Sequence, residues 1–304
     1  MITYYQIEET RSLRKTTTFH KNSWIKVIDP SEKELASLAK TFDLELGHLQ
    51  DALDTNEVPR FEEEENCAYM YTRVPVLQND IYTTLPVLFI LHPFAVFSIA
   101  LTDLTMFAKV LSNEKTQQET TLGLFIQFFN EIVSQYYNAI SKINKLTASK
   151  TFNIDRIENK DIVAMVVYEQ ILNEFLNAII QTNTLLKTVN ANKKFIKKEM
   201  DQDLTEDLFL STGQLIDLSK SSLRQVQNIR EAYSTVMTNN LNRVIKFFTA
   251  LTIVLTIPMI ITSFYGMNVT LPFAGHPLAF IIILFSIIAF SIGAIYIFMK
   301  QHWI

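Results

Sequence analysis

Two long apolar segments near the carboxyl terminus constrain the fold of this chain more than any other feature. The first, Phe247–Phe264, and the second, Leu278–Met299, contain no Asp, Glu, Lys or Arg. Each is close to the roughly 20 residues with which a helix spans the ~30 Å hydrocarbon core of a bilayer. Two such segments in succession predict two transmembrane helices rather than two buried helices of a soluble protein.

The charges that flank these segments predict their orientation. Arg243 and Lys246 precede the first span and Lys300 follows the second, whereas the connection 265–277 carries no fixed charge. Because cytoplasmic flanks are enriched in Lys and Arg, we expect both termini in the cytoplasm and the short loop 265–277 outside. The expected location is the cell membrane, inner or plasma, with the lipid bilayer as a partner.

The remainder of the chain is acidic and has no enzyme signature. All 31 Asp and Glu residues lie at or before Glu231, which excludes nucleic acid as a natural partner because it requires a basic surface. The single cysteine excludes an internal disulfide and a cysteine-based zinc cage. Six scattered glycines and five scattered histidines form no phosphate loop and no metalloprotease motif. We therefore expect a protein that is not an enzyme and has no organic cofactor.

The composition predicts three regions: a cytosolic mixed α/β domain over 1–117, a long-helix region over 118–240, and two membrane helices over 241–304. In the first region, β-branched and aromatic residues around a turn predict strands, and a capping residue before an apolar stripe predicts a helix. They are a strand at Trp24–Ile28, a helix at Glu32–Lys40, a hairpin formed by Tyr69–Leu77 and Tyr82–Leu91, and a strand at Phe94–Leu101. Pro75 and Pro86 predict edge strands or bulges, and the acidic run Glu62–Glu65 is interpreted as a solvated surface.

The second region has the apolar spacing of long packed helices. It contains no proline, and Leu172, Phe175 and Ile179 represent a stripe that repeats every three or four residues. Breaks are predicted at Phe152–Asp155 and Glu199–Asp201. The last helix is predicted to run from about Asp203 to Ile257, from water into the membrane. The fold class is thus an α+β cytosolic domain followed by long stalk helices and two C-terminal transmembrane helices.

The triplet Gly266-Met267-Asn268 follows the first span directly. In this context the sequence resembles the CorA family of divalent-cation channels, the Gly-Met-Asn superfamily. The resemblance extends to Asn242–Thr249 at the start of the span and to cytosolic segments. These are Trp24–Ile28, Leu49–Leu53, Val58–Arg60 and Glu65–Asn66.

The resemblance implies a homopentameric funnel that admits Mg²⁺, with Co²⁺ or Ni²⁺ as possible further substrates, along the membrane potential. It implies a selectivity filter of Gly266, Met267 and Asn268. It also implies a regulatory Mg²⁺ bound between subunits by Asp51 and Asp207. The positions that it assigns to the pore wall lie near one face of the first span: Asn242, Ile245, Phe248, Thr249, Thr256, Met259 and Ser263.

Elementary chemistry agrees with an asparagine filter, and alternatives remain open. Mg²⁺ usually keeps several waters, and Asn carbonyls can accept hydrogen bonds from those waters. The hydroxyls of Thr252, Thr256 and Thr262 have the alternative role of bonding back to helix carbonyls. The external loop has no acid, and His276 could contact softer ions such as Zn²⁺. The alternative functions are a proton-coupled Zn²⁺ transporter of the same superfamily and a membrane-anchored coiled-coil scaffold or sensor.

Overall fold

The described residues pack into two units. The computed structural model describes residues 1–8, 12–64, 67–112, 120–151, 158–192, 199–269, 271–272 and 275–303. The first unit comprises Met1–Asn153 and Glu158–Arg230, and the second comprises Glu231–Ile304. The segments Glu65–Asn66 and Phe152–Asp155, which carried part of the resemblance and one predicted helix break, lie outside the described residues.

A seven-stranded mixed sheet is the centre of the first unit, in the order β2-β1-β3-β7-β6-β5-β4. The β3–β7 pair is parallel, and the other neighbouring pairs are antiparallel. The strands are β1 Ile2–Ile7, β2 Leu13–Thr16, β3 Ser23–Ile28, β4 Arg60–Glu64, β5 Cys67–Gln78, β6 Ile81–His92 and β7 Ala95–Ala100. The predicted strands at 24–28, 69–77, 82–91 and 94–101 are confirmed.

Seven helices complete the described structure. They are α1 Glu32–Phe42, α2 Leu46–Asp51, α3 Thr105–Ser112, α4 Thr121–Thr151, α5 Asn159–Ala191, α6 Glu199–Tyr265 and α7 Ala279–Lys300. The predicted start of α1 is confirmed. The Ser31 hydroxyl accepts a hydrogen bond from the Glu34 N–H while the Glu34 carboxylate accepts one from the Ser31 N–H, a reciprocal cap that satisfies two helix-end donors.

Side-chain alternation along the strands gives the sheet two apolar faces. Met70, Phe89 and Val96 belong to the core on the side of α3–α6, whereas Tyr71, Ile90 and Phe97 belong to the core beneath α1 and α2. Because successive side chains of a strand point to opposite faces, strands buried on both sides read as nearly continuous apolar runs. This burial explains the composition of the hairpin sequence.

The two hairpin prolines require a correction. β5 and β6 lie inside the sheet, so the expectation of edge strands was wrong for the strands as a whole. The pairing with β4 covers Cys67–Tyr71 and the pairing with β7 covers Val87–His92. Pro75 and Pro86 therefore lie in the part of the hairpin that extends beyond these pairings, where a missing N–H is tolerated.

The apolar stripe of the long helices is buried as predicted. Leu172, Phe175 and Ile179 of α5 and Leu208 and Leu215 of α6 are part of the core. The second predicted break, at 199–201, lies in the first turn of α6, and α5 ends at Ala191. The helices thus bury one face against the sheet and against each other.

Three described helices are long and apolar enough to cross a membrane, but they differ in burial. In α5, 33% of the apolar window is buried inside the protein, compared with 6% in α6 and 0% in α7. Apolar surface that no protein covers suits lipid. The C-terminal part of α6 and the whole of α7 therefore fit membrane spans, whereas α5 packs apolar residues into the core of the first unit.

Candidate ion pathway and regulatory carboxylates

The Gly266-Met267-Asn268 triplet directly follows the last residue of α6, Tyr265. The Gly266 N–H donates to the carbonyls of Thr262 and Ser263, at 2.9 and 3.2 Å, and the Met267 N–H donates to the Phe264 carbonyl at 3.3 Å. A Cβ atom on Gly266 would stand 3.3 Å from the Thr262 carbonyl oxygen. A larger residue at this position would therefore require a small shift of the last turn. Met267 and Asn268 are exposed in the single chain.

The described part of the loop 265–277 is tied to both helix ends. The Tyr265 hydroxyl lies 3.4 Å from the Pro272 carbonyl oxygen, to which it donates. The His276 Nδ1 accepts a hydrogen bond from the Leu278 N–H at 3.2 Å, next to the start of α7. His276 thus has a local structural role in the single chain.

The seven predicted pore positions share one face of α6. At about 100° per residue they fall within an arc of roughly 120°. Six of them are exposed and Thr256 is half-buried. The single chain therefore presents a continuous face of mixed amide, hydroxyl and apolar side chains.

The hydroxyls along this helix bond to their own backbone, as the alternative interpretation expected. Thr256 donates to the Thr252 carbonyl at 2.7 Å, and Thr252 donates to the Phe248 carbonyl at 2.8 Å. Thr262 donates to the Pro258 carbonyl at 2.9 Å. Pro258 lies inside α6 and lacks the N–H of a normal helical hydrogen bond. A hydroxyl whose proton is used in this way still offers oxygen lone pairs. It can therefore face a hydrated cation as an acceptor.

The predicted regulatory carboxylate Asp51 already has a cationic neighbour. It is the last residue of α2, and its Oδ2 accepts a hydrogen bond from Arg60 Nη2 at 2.7 Å. Arg60 also forms ion pairs with Glu57 and Glu62. Partial burial lowers the pKa of the Arg60 guanidinium, but the contacts with Glu62, Tyr71 and Asp51 outweigh burial, so its pKa is raised.

Asp207, the predicted partner of Asp51, lies exposed on α6 in the same unit. Asp51 forms its ion pair with Arg60. In the portions of the chain that the structure covers, no group of three or more His, Cys, Asp and Glu side chains could hold a metal.

Sequence reasoning missed the ion-pair cluster around Arg60. The prediction that Glu62–Glu65 is a solvated surface did not include the contacts of Glu62. Its side chain is 38% exposed, one of its oxygens pairs with Arg60, and the other lies 3.4 Å from Nε2 of the buried His48. Glu65 lies outside the described residues. Alternation along β4 places Arg60 and Glu62 on the same side of the strand. That spacing is visible in the sequence. The contact between Asp51 at the end of α2 and Arg60 at the start of β4 is not, because it depends on the path of the chain between them.

Comparison with known proteins identifies the family. Residues 20–300 match the family model described as CorA-like Mg²⁺ transporter protein. The chain is 26% identical to the cobalt/magnesium transport protein CorA of Methanocaldococcus jannaschii over 291 residues, covering 92% of this chain and 91% of the relative. The chain belongs to the CorA-like Mg²⁺ transporter family, whose members are transporters rather than enzymes.

Solved structures agree on the fold. The complete structure of the CorA magnesium transporter from Methanocaldococcus jannaschii aligns with a TM-score of 0.85 at 22% identity, covering 100% of this chain and 99% of that chain. The ZntB cytoplasmic domain from Vibrio parahaemolyticus aligns with a TM-score of 0.65 at 9% identity, covering 78% and 98%. The predicted α+β domain, long helices and C-terminal membrane helices are therefore confirmed.

Proposed function

We propose that this protein is a homopentameric membrane channel that carries Mg²⁺ into the cytoplasm along the membrane potential. The main support is the position of Asn268. It is exposed just after a 67-residue helix whose C-terminal part is apolar and is not covered by other parts of the chain. Family membership and the related cobalt/magnesium transport protein support the choice of ion. In this proposal both termini are cytoplasmic and the 265–277 loop is external.

The Gly266-Met267-Asn268 filter would act on a hydrated ion. Mg²⁺ loses its waters reluctantly, and five Asn268 carbonyls could accept hydrogen bonds from that shell. A neutral amide ring holds the ion less tightly than a carboxylate ring, and conduction needs sites that the ion can leave. The hydrogen-bonded turn at Gly266 and Met267 ends the helix just before Asn268. Met267, exposed in the single chain, would pack the loop in the pentamer.

The α6 face below the filter would form the pore wall. Asn242 lies at the cytoplasmic mouth, and Ile245 and Phe248 form a constriction that can dewet. Thr249, Thr256, Met259 and Ser263 line the middle. Neither apolar segment contains an acid that could relay protons. The proposed driving force is the potential, worth about 4.6 kcal/mol for a divalent ion at 100 mV.

Cytosolic Mg²⁺ would close the channel by binding between subunits. Asp51 of one subunit and Asp207 of its neighbour are the proposed ligands. Two carboxylates that face each other repel when no cation is bound and are bridged by a divalent cation. Binding of this regulatory Mg²⁺ therefore favours the closed arrangement and gives feedback on uptake.

The test is ion uptake by the purified full chain in liposomes with an inside-negative potential. Asn268→Ala removes the amide ring, and we expect Mg²⁺ uptake to fall about tenfold or more, since each 1.4 kcal/mol of lost stabilisation is a factor of ten. Asn240→Ala is the matched control. Asn240 is also an exposed asparagine of α6, but at 100° per residue it faces away from the pore positions.

The same assay separates the alternatives. Mg²⁺ uptake driven by voltage alone, and lost only in Asn268→Ala, supports the channel. Zn²⁺ uptake that requires a proton gradient would instead identify a proton-coupled zinc transporter. A folded oligomer that carries neither ion would point to a membrane-anchored scaffold.

A further inference from the structure

Arg60 is held in one position by its place in the sheet. It is the first residue of β4 and pairs with Tyr71 of β5. Its guanidinium lies over the Tyr71 ring, 3.9 Å from the ring centroid. Stacking of this kind fixes the plane of a guanidinium. Arg60 therefore presents its N–H groups in a defined direction.

The guanidinium contacts three carboxylates from three places in the chain. Nη2 donates to Asp51 at 2.7 Å, Nη1 pairs with Glu57, and Nε pairs with Glu62. The Arg60 side chain is 28% exposed and the Asp51 side chain is 50% exposed. Asp51 is thus open to solvent on one side and held by Arg60 on the other.

In this arrangement Asp51 does not fit the role of a vacant metal ligand. Mg²⁺ binds carboxylate oxygens at about 2.1 Å in a near-octahedral shell, and Oδ2 is already engaged by a cation. Full access to Oδ2 requires a small movement of the guanidinium that releases the Nη2 hydrogen bond. Such a movement leaves Arg60 paired with Glu57 and Glu62, so its positive charge is not stranded.

We propose that Arg60 competes with Mg²⁺ for Asp51 and thereby sets the cytosolic Mg²⁺ concentration at which the regulatory site fills. The inference rests on the proposed regulatory role of Asp51 and Asp207. It adds a second state to the site: an Arg60-bound Asp51 at low Mg²⁺ and a Mg²⁺-bound Asp51 at high Mg²⁺. The net charge of the four side chains, three carboxylates and one guanidinium, still attracts a divalent cation.

The test is a Mg²⁺ titration of the thermal stability of the detergent-solubilised full chain, because an ion that binds only the folded protein raises its melting temperature. Arg60→Gln should lower the half-effect Mg²⁺ concentration by about three- to tenfold, the range of a partly exposed charge-assisted hydrogen bond. Arg60→Met, which keeps the apolar stem on Tyr71, should shift the titration in the same direction. It also replaces Arg60→Gln if that variant does not fold.

Arg14→Gln is the matched control. Arg14 forms an exposed ion pair with Glu8 at 3.6 Å in the same unit, so its removal changes the net charge equally without touching Asp51. We expect its titration to equal that of the unchanged protein. Asp51→Asn and Asp207→Asn should each raise the half-effect concentration. In the Asp51→Asn background, Arg60→Gln should have no further effect.

The outcomes distinguish the inference from the proposal beneath it. If Asp51→Asn and Asp207→Asn raise the half-effect concentration but both Arg60 variants leave it unchanged or raise it, Arg60 is not a competitor and the regulatory site stands. If neither aspartate variant changes the titration, the regulatory role fails and the inference fails with it. If Arg14→Gln lowers the half-effect Mg²⁺ concentration as much as Arg60→Gln does, the change in net charge explains the result. That outcome would overturn the inference.

Discussion

The hydrogen bond between Trp24 and Ser98 ties β3 to β7, the one parallel pair of the sheet. The Trp24 Nε1–H donates to the Ser98 hydroxyl at 2.8 Å, and both residues are fully buried. The indole also packs on Tyr5 and Phe128, with ring centroids 4.9 Å away in each case. Loss of either partner therefore leaves a polar group in an apolar core.

The size of the effect can be worked out from this geometry. Ser98→Ala strands the indole N–H, which costs about 1–3 kcal/mol. Trp24→Phe strands the hydroxyl and also leaves a cavity that adds about 1 kcal/mol, for a total of about 2–4 kcal/mol. In the double variant no polar group is stranded, so its cost should be smaller than the sum by about 1–2 kcal/mol.

Amide hydrogen exchange of peptides that cover β3 and β7 measures these differences in the full chain. A loss of about 2 kcal/mol corresponds to roughly 30-fold faster exchange. Ser37→Ala, at an exposed site of α1, is the control and should leave exchange in both strands unchanged. Exchange that accelerates less than about threefold in either single variant, or strictly additive effects in the double variant, would refute the reasoning.

Two further predictions concern the membrane helix and the pH dependence of the first unit. Phe290→Lys, at the middle of the uncovered helix α7, should reduce membrane integration through a cost of about 3 kcal/mol. Met299→Lys, beside Lys300 at the helix end, should integrate normally because its ammonium reaches the interface; equal integration of both variants in a carbonate-extraction assay would contradict the span. Burial lowers the pKa of His92, with Asp43 opposing. The unfolded chain therefore binds a proton more readily, and the unit should lose stability as pH falls below about 6.5. His92→Gln should flatten the decline in melting temperature between pH 7.5 and 5.5, whereas the exposed control His20→Gln should not.

The helices, the hairpin and the two spans could be predicted because each depends on a pattern within one continuous segment of the sequence. The charge-free lengths predicted two spans, and the three- and four-residue spacing predicted the stripe of α5 that packs on the sheet. The turn between Leu77 and Tyr82 predicted the hairpin of β5 and β6. These features are local, because helix and strand periodicity and the length of a span are properties of neighbouring residues.

The partners of individual polar side chains came only from the tertiary structure. Trp24 and Ser98 are 74 residues apart, and the Thr72 and Thr182 hydroxyls, which meet at 2.9 Å, are 110 apart. The parallel β3–β7 pairing and the position of helix α5 on the sheet create both contacts, and no periodicity in the sequence specifies them.

The candidate site divides in the same way. Gly266-Met267-Asn268 is a contiguous motif at the end of a span, so the sequence alone determined its position. The pairing of Asp51 with Arg60 depends on how α2 turns back toward the first residue of β4. The Asp51 carboxylate, which has no evident partner in the sequence, therefore pairs with the Arg60 guanidinium in the fold. Charge pairing depends on distance in space and not along the chain.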